Sequence, residues 1–178
     1  MDFRRAWIKG GWYFFTVVTH ERQPLLTIPE NIARLRAVME SVKVKRPFAM
    51  PAIVILPDHL HCLWRMPEDD DDFATRWRMI KHDFTCGCVG ANADNRASRR
   101  GRGERNVWQR RFWEHAIRDE EDWHRHLDYI AYNPVKHGYV NRPEDWAFGS
   151  FRRLVETGWY APGWGAMEPD SVKGLDVE

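Results

Sequence analysis

Two runs rich in strand-forming residues, 50–56 and 59–66, are separated only by Pro57 and Asp58. So short a connection cannot carry a crossover, and the two strands must lie antiparallel as a hairpin. The hairpin sits at the centre of a longer alternation. Gly10 and Gly11 precede Trp12-Tyr13-Phe14-Phe15-Thr16-Val17-Val18-Thr19, whose aromatic and β-branched residues read as a well-buried strand. Pro29 opens a helix in which Ile32, Leu35, Val38, Met39 and Val42 form an apolar stripe, and the helix must stop before Pro47. After the hairpin, Phe73, Trp77, Ile80 and Phe84 recur at helical spacing, and this second helix ends near Cys86-Gly87-Cys88. A fourth strand is expected over 112–117. A third helix is expected from Asp119, an N-cap residue with Glu120 and Glu121 in the first turn, through Trp123, Leu127 and Ile130 to Asn133, where Pro134 ends it. The order β-α-β-β-α-β-α predicts an α+β fold, an antiparallel sheet with packed helices related to the ferredoxin-like or RRM-like sandwich.

The 178 residues, 43% of them hydrophobic, suit one domain over 1–155, with a flexible basic loop at 90–106 and a C-terminal tail at 156–178. No apolar run approaches the ~20 residues of a membrane span, and the first residues lack the apolar stretch of a leader. Three cysteines, Cys62, Cys86 and Cys88, cannot form a disulfide framework. A cytoplasmic protein is expected. Cys86-Gly87-Cys88 has no partner pair for a zinc site and reads as structural.

The net charge of +1 conceals a sorting of charge along the chain. Arg96, Arg99, Arg100, Arg102, Arg105, Arg110 and Arg111 face a single acid, Glu104, within 96–111, whereas 68–72 are five acids in a row. The arginines can neutralise phosphates, although such a run is often only a solvated loop. Ten tryptophans serve chiefly as packing, with some as stacking platforms for bases.

His59-Leu60-His61 is the sharpest chemical feature. On a strand the two histidines project from one face while Leu60 and Cys62 point away, so the two imidazoles can share a metal ion. The bland alternative is a pair of surface histidines. Tyr129 and Asn133 stand one helical turn apart and present a phenol and a carboxamide side by side. Packing and helix termination would explain that pair equally well. Taken together the four residues point to phosphodiester cleavage by a tyrosine. A phenol near pKa 10 is a poor nucleophile without a Lewis acid on the phosphate, and His, His and Asn donors suit Mg²⁺ or Mn²⁺. Such an attack leaves a 5′-phosphotyrosine and a free 3′-hydroxyl, which stores the bond energy for rejoining.

Leu56-Pro57-Asp58-His59-Leu60-His61 resembles the His-hydrophobic-His motif of the HUH endonucleases. Val107-Trp108-Gln109-Arg110-Arg111-Phe112-Trp113-Glu114-His115, then Asp128-Tyr129-Ile130-Ala131-Tyr132-Asn133-Pro134-Val135-Lys136-His137-Gly138, then Asp145-Trp146-Ala147-Phe148-Gly149-Ser150-Phe151 resemble, in that order, the REP-associated tyrosine transposases. The resemblance spans roughly residues 10–155. It implies a metal-dependent, single-tyrosine nuclease and strand transferase that acts on single-stranded repetitive extragenic palindromes (REPs) at the nucleoid of the bacterial cytoplasm. Tyr129 matches the nucleophile, and His59 and His61 match the metal ligands. Asn133 stands where related single-strand transposases carry glutamine, and takes the third ligand position. Ala131 departs from the histidine of many relatives. Tyr132 is a rival nucleophile, but lies about 60° round the helix from the face that Tyr129 and Asn133 share. Arg110, Arg111 and the loop arginines are expected on DNA phosphates. Lys136 and His137 are expected near the scissile region, or as helix caps. Asp58 either orients a ligand histidine or only makes the turn. Glu114 and His115 have no evident role. A monomer with its tyrosine acting in cis is expected. The competing classes are a non-catalytic hairpin-binding regulator and a hydrolase that uses water at the histidine pair.

Overall fold

The fold is known from a computed structural model that describes residues 7–91, 107–175 and 177. The loop arginines Arg96, Arg99, Arg100, Arg102 and Arg105 lie outside the described residues, as does most of the expected loop. Along the chain come β1 (Trp12–Val18), α1 (Pro29–Lys45), β2 (Ala49–Ile55), β3 (His59–Arg65), α2 (Phe73–Thr85), β4 (Trp113–Ala116), α3 (Glu120–Lys136) and α4 (Phe151–Glu156). Short 3₁₀ turns stand at His20–Arg22, Pro143–Asp145 and Asp170–Val172. The sheet order is β2-β3-β1-β4, with every pairing antiparallel. The expected α+β sandwich is therefore what forms.

Proline and aspartate close the β2–β3 hairpin as expected, with the Leu56 amide donating to the His59 carbonyl at 2.8 Å. Thr19 straps the turn from outside, its amide and hydroxyl both donating to the Asp58 carbonyl. Helices cover both faces of the sheet, so β3 is buried at every residue but its last. On one face, Tyr13, Phe15, Val17, Leu60 and Trp64 meet α1 and α2, with Trp64 stacked on Trp77 at 4.5 Å. On the other, Phe14, Ala52, Val54 and Leu63 meet Leu127 and Ile130 of α3. Tyr160, Val172 and Val177 belong to this second core, so the tail packs as part of the domain.

Two sequence expectations need correction. Helix α3 does not stop at Asn133 but continues through Pro134 to Lys136. A proline lacks only its own N–H and strains the preceding turn, and this near the helix end the following residues still bond, as His137 does to the Asn133 carbonyl. Gly138, at φ +72°, then closes a Schellman motif with its amide on Val135 and that of Tyr139 on Pro134. Strand β4 is shorter than expected, because Phe112 turns into the α1/α2 core. The acidic run also takes part in the fold. Asp72 caps α2 by accepting from the Thr75 amide at 3.0 Å, and Asp70 accepts from the buried Arg76 at 2.7 Å. Among the described residues the cysteines are free thiols, and Gly87 packs so close to the Arg34 guanidinium that a Cβ would stand 2.3 Å from it.

Candidate active site

Strand β3 delivers both histidines to the α3 face, with ring centroids 4.9 Å apart. Each ring is held at Nδ1. His59 Nδ1 lies 2.7 Å from Asp58 Oδ1, and a carboxylate only accepts, so Nδ1 carries the proton. Burial alone would raise the Asp58 carboxyl, but the hydrogen bonds and charges of His59 and Arg22 outweigh it and hold the group down to about 2. Asp58 thus makes the turn and orients the imidazole too. His61 Nδ1 lies 2.9 Å from the hydroxyl of Thr16, its register partner on β1. That hydroxyl donates its only proton to the Val177 carbonyl at 2.9 Å, so it accepts from His61 Nδ1–H. Both rings therefore turn Nε2 to the site as the nitrogen that could take a metal ion, with Nδ1–H held by an oxygen acceptor.

Helix α3 brings the phenol. Its Asp119 cap accepts from the Asp122 amide at 2.8 Å, and Leu127 and Ile130 seat the helix on the sheet. Tyr129, 2% exposed, sets its ring edge-on to His61 at 5.2 Å and to Phe14 at 6.0 Å. Asn133, one turn further along the same face, is fully buried. Lys136 donates to the Tyr129 hydroxyl at 2.9 Å, and its Nζ stands 4.7 Å from the ring centroid. The ring of His137 packs on that of His59 at 5.2 Å. Tyr132 instead lies towards the tail, near Gly165.

A buried phenol thus lies beside two imidazoles with committed tautomers, with an ammonium group on its oxygen. Two ring nitrogens and a carboxamide oxygen are a donor set that a small divalent cation accepts. Arg110 and Arg111 are exposed on the segment before β4, where Lys81 bonds the backbone carbonyls of Gln109 and Arg110. Sequence reading placed Lys136 on DNA near the scissile region or at the helix cap. Its contact with Tyr129 at i+7, two helical turns on, was legible only once Pro134 was known not to end the helix. Thr16 carried no motif at all.

One further cluster escaped the sequence. Among the described residues, His115, Asp122 and His126 form a group that could hold a metal ion, with ligand atoms all within 4.8 Å of one another. Asp122 accepts at one oxygen from His115 Nε2 at 2.8 Å and from the Arg118 amide at 3.0 Å. The Arg118 guanidinium bonds both carboxylate oxygens, at 3.1 and 3.3 Å. A cation there would compete with an arginine already in place, so the cluster reads better as a clasp that joins β4 to the start of α3. Its spacing signal was the i, i+4 pair of Asp122 and His126. No helix of the described residues is long and apolar enough to cross a membrane.

No protein-family model matches the chain. Similarity to individual proteins is extensive. The chain is 45% identical over 174 residues to the REP-associated tyrosine transposase of Escherichia coli K12, covering 97% of this chain and 96% of that one. It is 42% identical over 173 residues to a Haemophilus influenzae Rd protein of the same family name, covering 97% and 98%. A solved structure of a REP-associated tyrosine transposase bound to a REP hairpin superposes with a TM-score of 0.77, at 42% identity over 96% of both chains. Identity at this level over nearly the full length of each relative, together with the shared fold, shows that the chain belongs to the REP-associated tyrosine transposase family.

Proposed function

We propose that this protein is a metal-dependent endonuclease and strand transferase that cuts and rejoins single-stranded REP hairpins through Tyr129. The observation that carries the reading is the buried Tyr129 phenol packed edge-on to His61 at 5.2 Å, with Lys136 on its hydroxyl. His59 and His61 would hold a Mg²⁺ or Mn²⁺ ion, with Asn133 as third ligand. Such an ion, when bound, acts as a Lewis acid on the phosphate. The Tyr129 oxygen attacks phosphorus, its bond to phosphorus forms, and the bond to the 3′ oxygen breaks. The 5′ side stays on the enzyme as a phosphotyrosine and the 3′-hydroxyl is released. Asp58 and Thr16 keep the imidazoles in the ligating tautomer throughout. The hairpin-bound relative supports a folded-back strand as substrate. Arg110 and Arg111, with the arginines of the 90–106 segment, would grip phosphates without reading sequence. Because Tyr129 packs against His61 of its own chain, the reading includes a monomer that cuts in cis, at the nucleoid.

The test uses labelled single-stranded oligonucleotides copied from REPs near the gene, incubated with Mg²⁺, Mn²⁺ or EDTA and run on denaturing gels. A metal-dependent covalent band that is lost in Tyr129→Phe is the expected result. Tight binding with no adduct under any condition would replace this reading with that of a non-catalytic hairpin-binding regulator. Cleavage that survives Tyr129→Phe would shift the chemistry to Tyr132 or to water.

A further inference from the structure

A tyrosine that attacks and later leaves a phosphate must carry negative charge on its oxygen at both moments. Tyr129 is 2% exposed, with the ring of Phe14 on one side and that of His61 on another, so bulk water does little to stabilise that charge. Lys136 touches that oxygen, its Nζ donating to it at 2.9 Å. An ammonium has protons to give and no lone pair, so the phenol oxygen is the acceptor and keeps its own proton for a different direction. The same Nζ lies 4.7 Å from the ring centroid, so the cation also meets the π face. Only the extra helical turn beyond Pro134 makes this possible, since a helix that ended at Asn133 would not carry residue 136 back over residue 129.

We propose that Lys136 is a catalytic residue of this site, a fixed positive charge that stabilises the Tyr129 oxygen in both the cutting and the rejoining step, and not a phosphate contact. The inference rests on the reading of Tyr129 as nucleophile given above. In cutting, the bond from the Tyr129 oxygen to phosphorus forms and the bond from phosphorus to the 3′ oxygen breaks. The phenol proton passes to solvent, the 3′ oxygen takes one up from solvent, and Lys136 keeps its own three protons. In rejoining, the 3′-hydroxyl attacks and the Tyr129 oxygen leaves beside the same ammonium. A preorganised charge aimed at a reacting atom acts in both directions, because both pass through the same transition state.

The experiment separates rate from binding. Lys136→Met, which keeps length without charge, and Lys136→Arg, which keeps charge, are compared with wild type. Single-turnover adduct formation is measured at saturating REP hairpin with Mn²⁺, and hairpin Kd is measured in a Tyr129→Phe background. Lys136→Met should slow adduct formation about 10- to 100-fold, the worth of one charge-assisted hydrogen bond, with Kd changed less than about threefold. Lys136→Arg should recover a large part of the rate. A substrate with sulfur at the bridging 3′ position, whose leaving group needs no proton, should leave the Lys136→Met defect in place. A rescued rate on that substrate would place Lys136 at the leaving group and overturn the proposal. A loss confined to Kd would do the same by making Lys136 a phosphate contact, and so would an unchanged rate. Should Lys136→Met melt early, Lys136→Gln takes its place in the same comparison. A wild type without any adduct would instead refute the nucleophile itself, and this proposal with it.

Discussion

Asp122→Asn tests whether the cluster at the start of α3 is a clasp or a metal centre. Asp122 is 4% exposed and occupies the first turn of the helix, where a carboxylate is also favoured by the helix dipole. Burial would raise its pKa, but the hydrogen bonds from Arg118 and His115 outweigh that and hold the carboxyl far below the usual range. Asparagine keeps the shape and one acceptor oxygen, while its amide now points a donor at other donors. What counts is the charge lost from the oxygen that His115 Nε2 and the Arg118 amide share, at 2.8 and 3.0 Å, since the asparagine oxygen can stay in that place. The guanidinium of Arg118 is 70% exposed and can turn to water, so it adds little. Turning two hydrogen bonds to a charged acceptor into neutral ones costs about 1–1.5 kcal/mol each, about 2–3 kcal/mol together. For a chain of this size that lowers Tm by about 4–12 °C. Urea denaturation followed by circular dichroism should show a lower midpoint at an unchanged m-value. A change under about 0.5 kcal/mol would refute the clasp, because mutations away from such features fall in that range. A stabilisation of wild type by added Mn²⁺ or Zn²⁺ that EDTA reverses and Asp122→Asn lacks would make the cluster a metal centre instead.

Thr16→Val and Asp58→Ala remove the groups that hold His61 and His59, respectively, at Nδ1. Each should weaken Mn²⁺ binding about 10- to 100-fold by isothermal titration calorimetry, and an unchanged Kd would show that neither residue orients its imidazole. Burial lowers the Lys81 ammonium to about 8, so the folded protein gives up this proton before the unfolded chain does. Stability should therefore rise with pH from about 8 towards the ordinary lysine value near 10, and Lys81→Met should flatten that rise in urea titrations at pH 7.5 and 9.5.

The elements themselves were written in local patterns. The three residues between β2 and β3 permit only a hairpin, and strand alternation alone puts His59 and His61 on one face. Helical spacing likewise puts Tyr129 and Asn133 on one face of α3. These features survive because each depends on neighbours within a turn or a pleat. The tertiary structure decided the rest. That α3 docks its tyrosine against His61, and not its Tyr132 face, depends on which stripe of the helix the sheet surface accepts. That Pro134 is tolerated depends on its place near a helix end already seated by Leu127 and Ile130. Thr16 gained a role only because a carbonyl 161 residues further along takes its proton and leaves its oxygen to His61. The bonds of Arg118 and His115 to Asp122, which favour a clasp, could be seen only once β4 and α3 were side by side. Periodicity reports what a residue's own element will do, whereas hydrogen bonds between distant segments are chosen by packing that no single segment encodes.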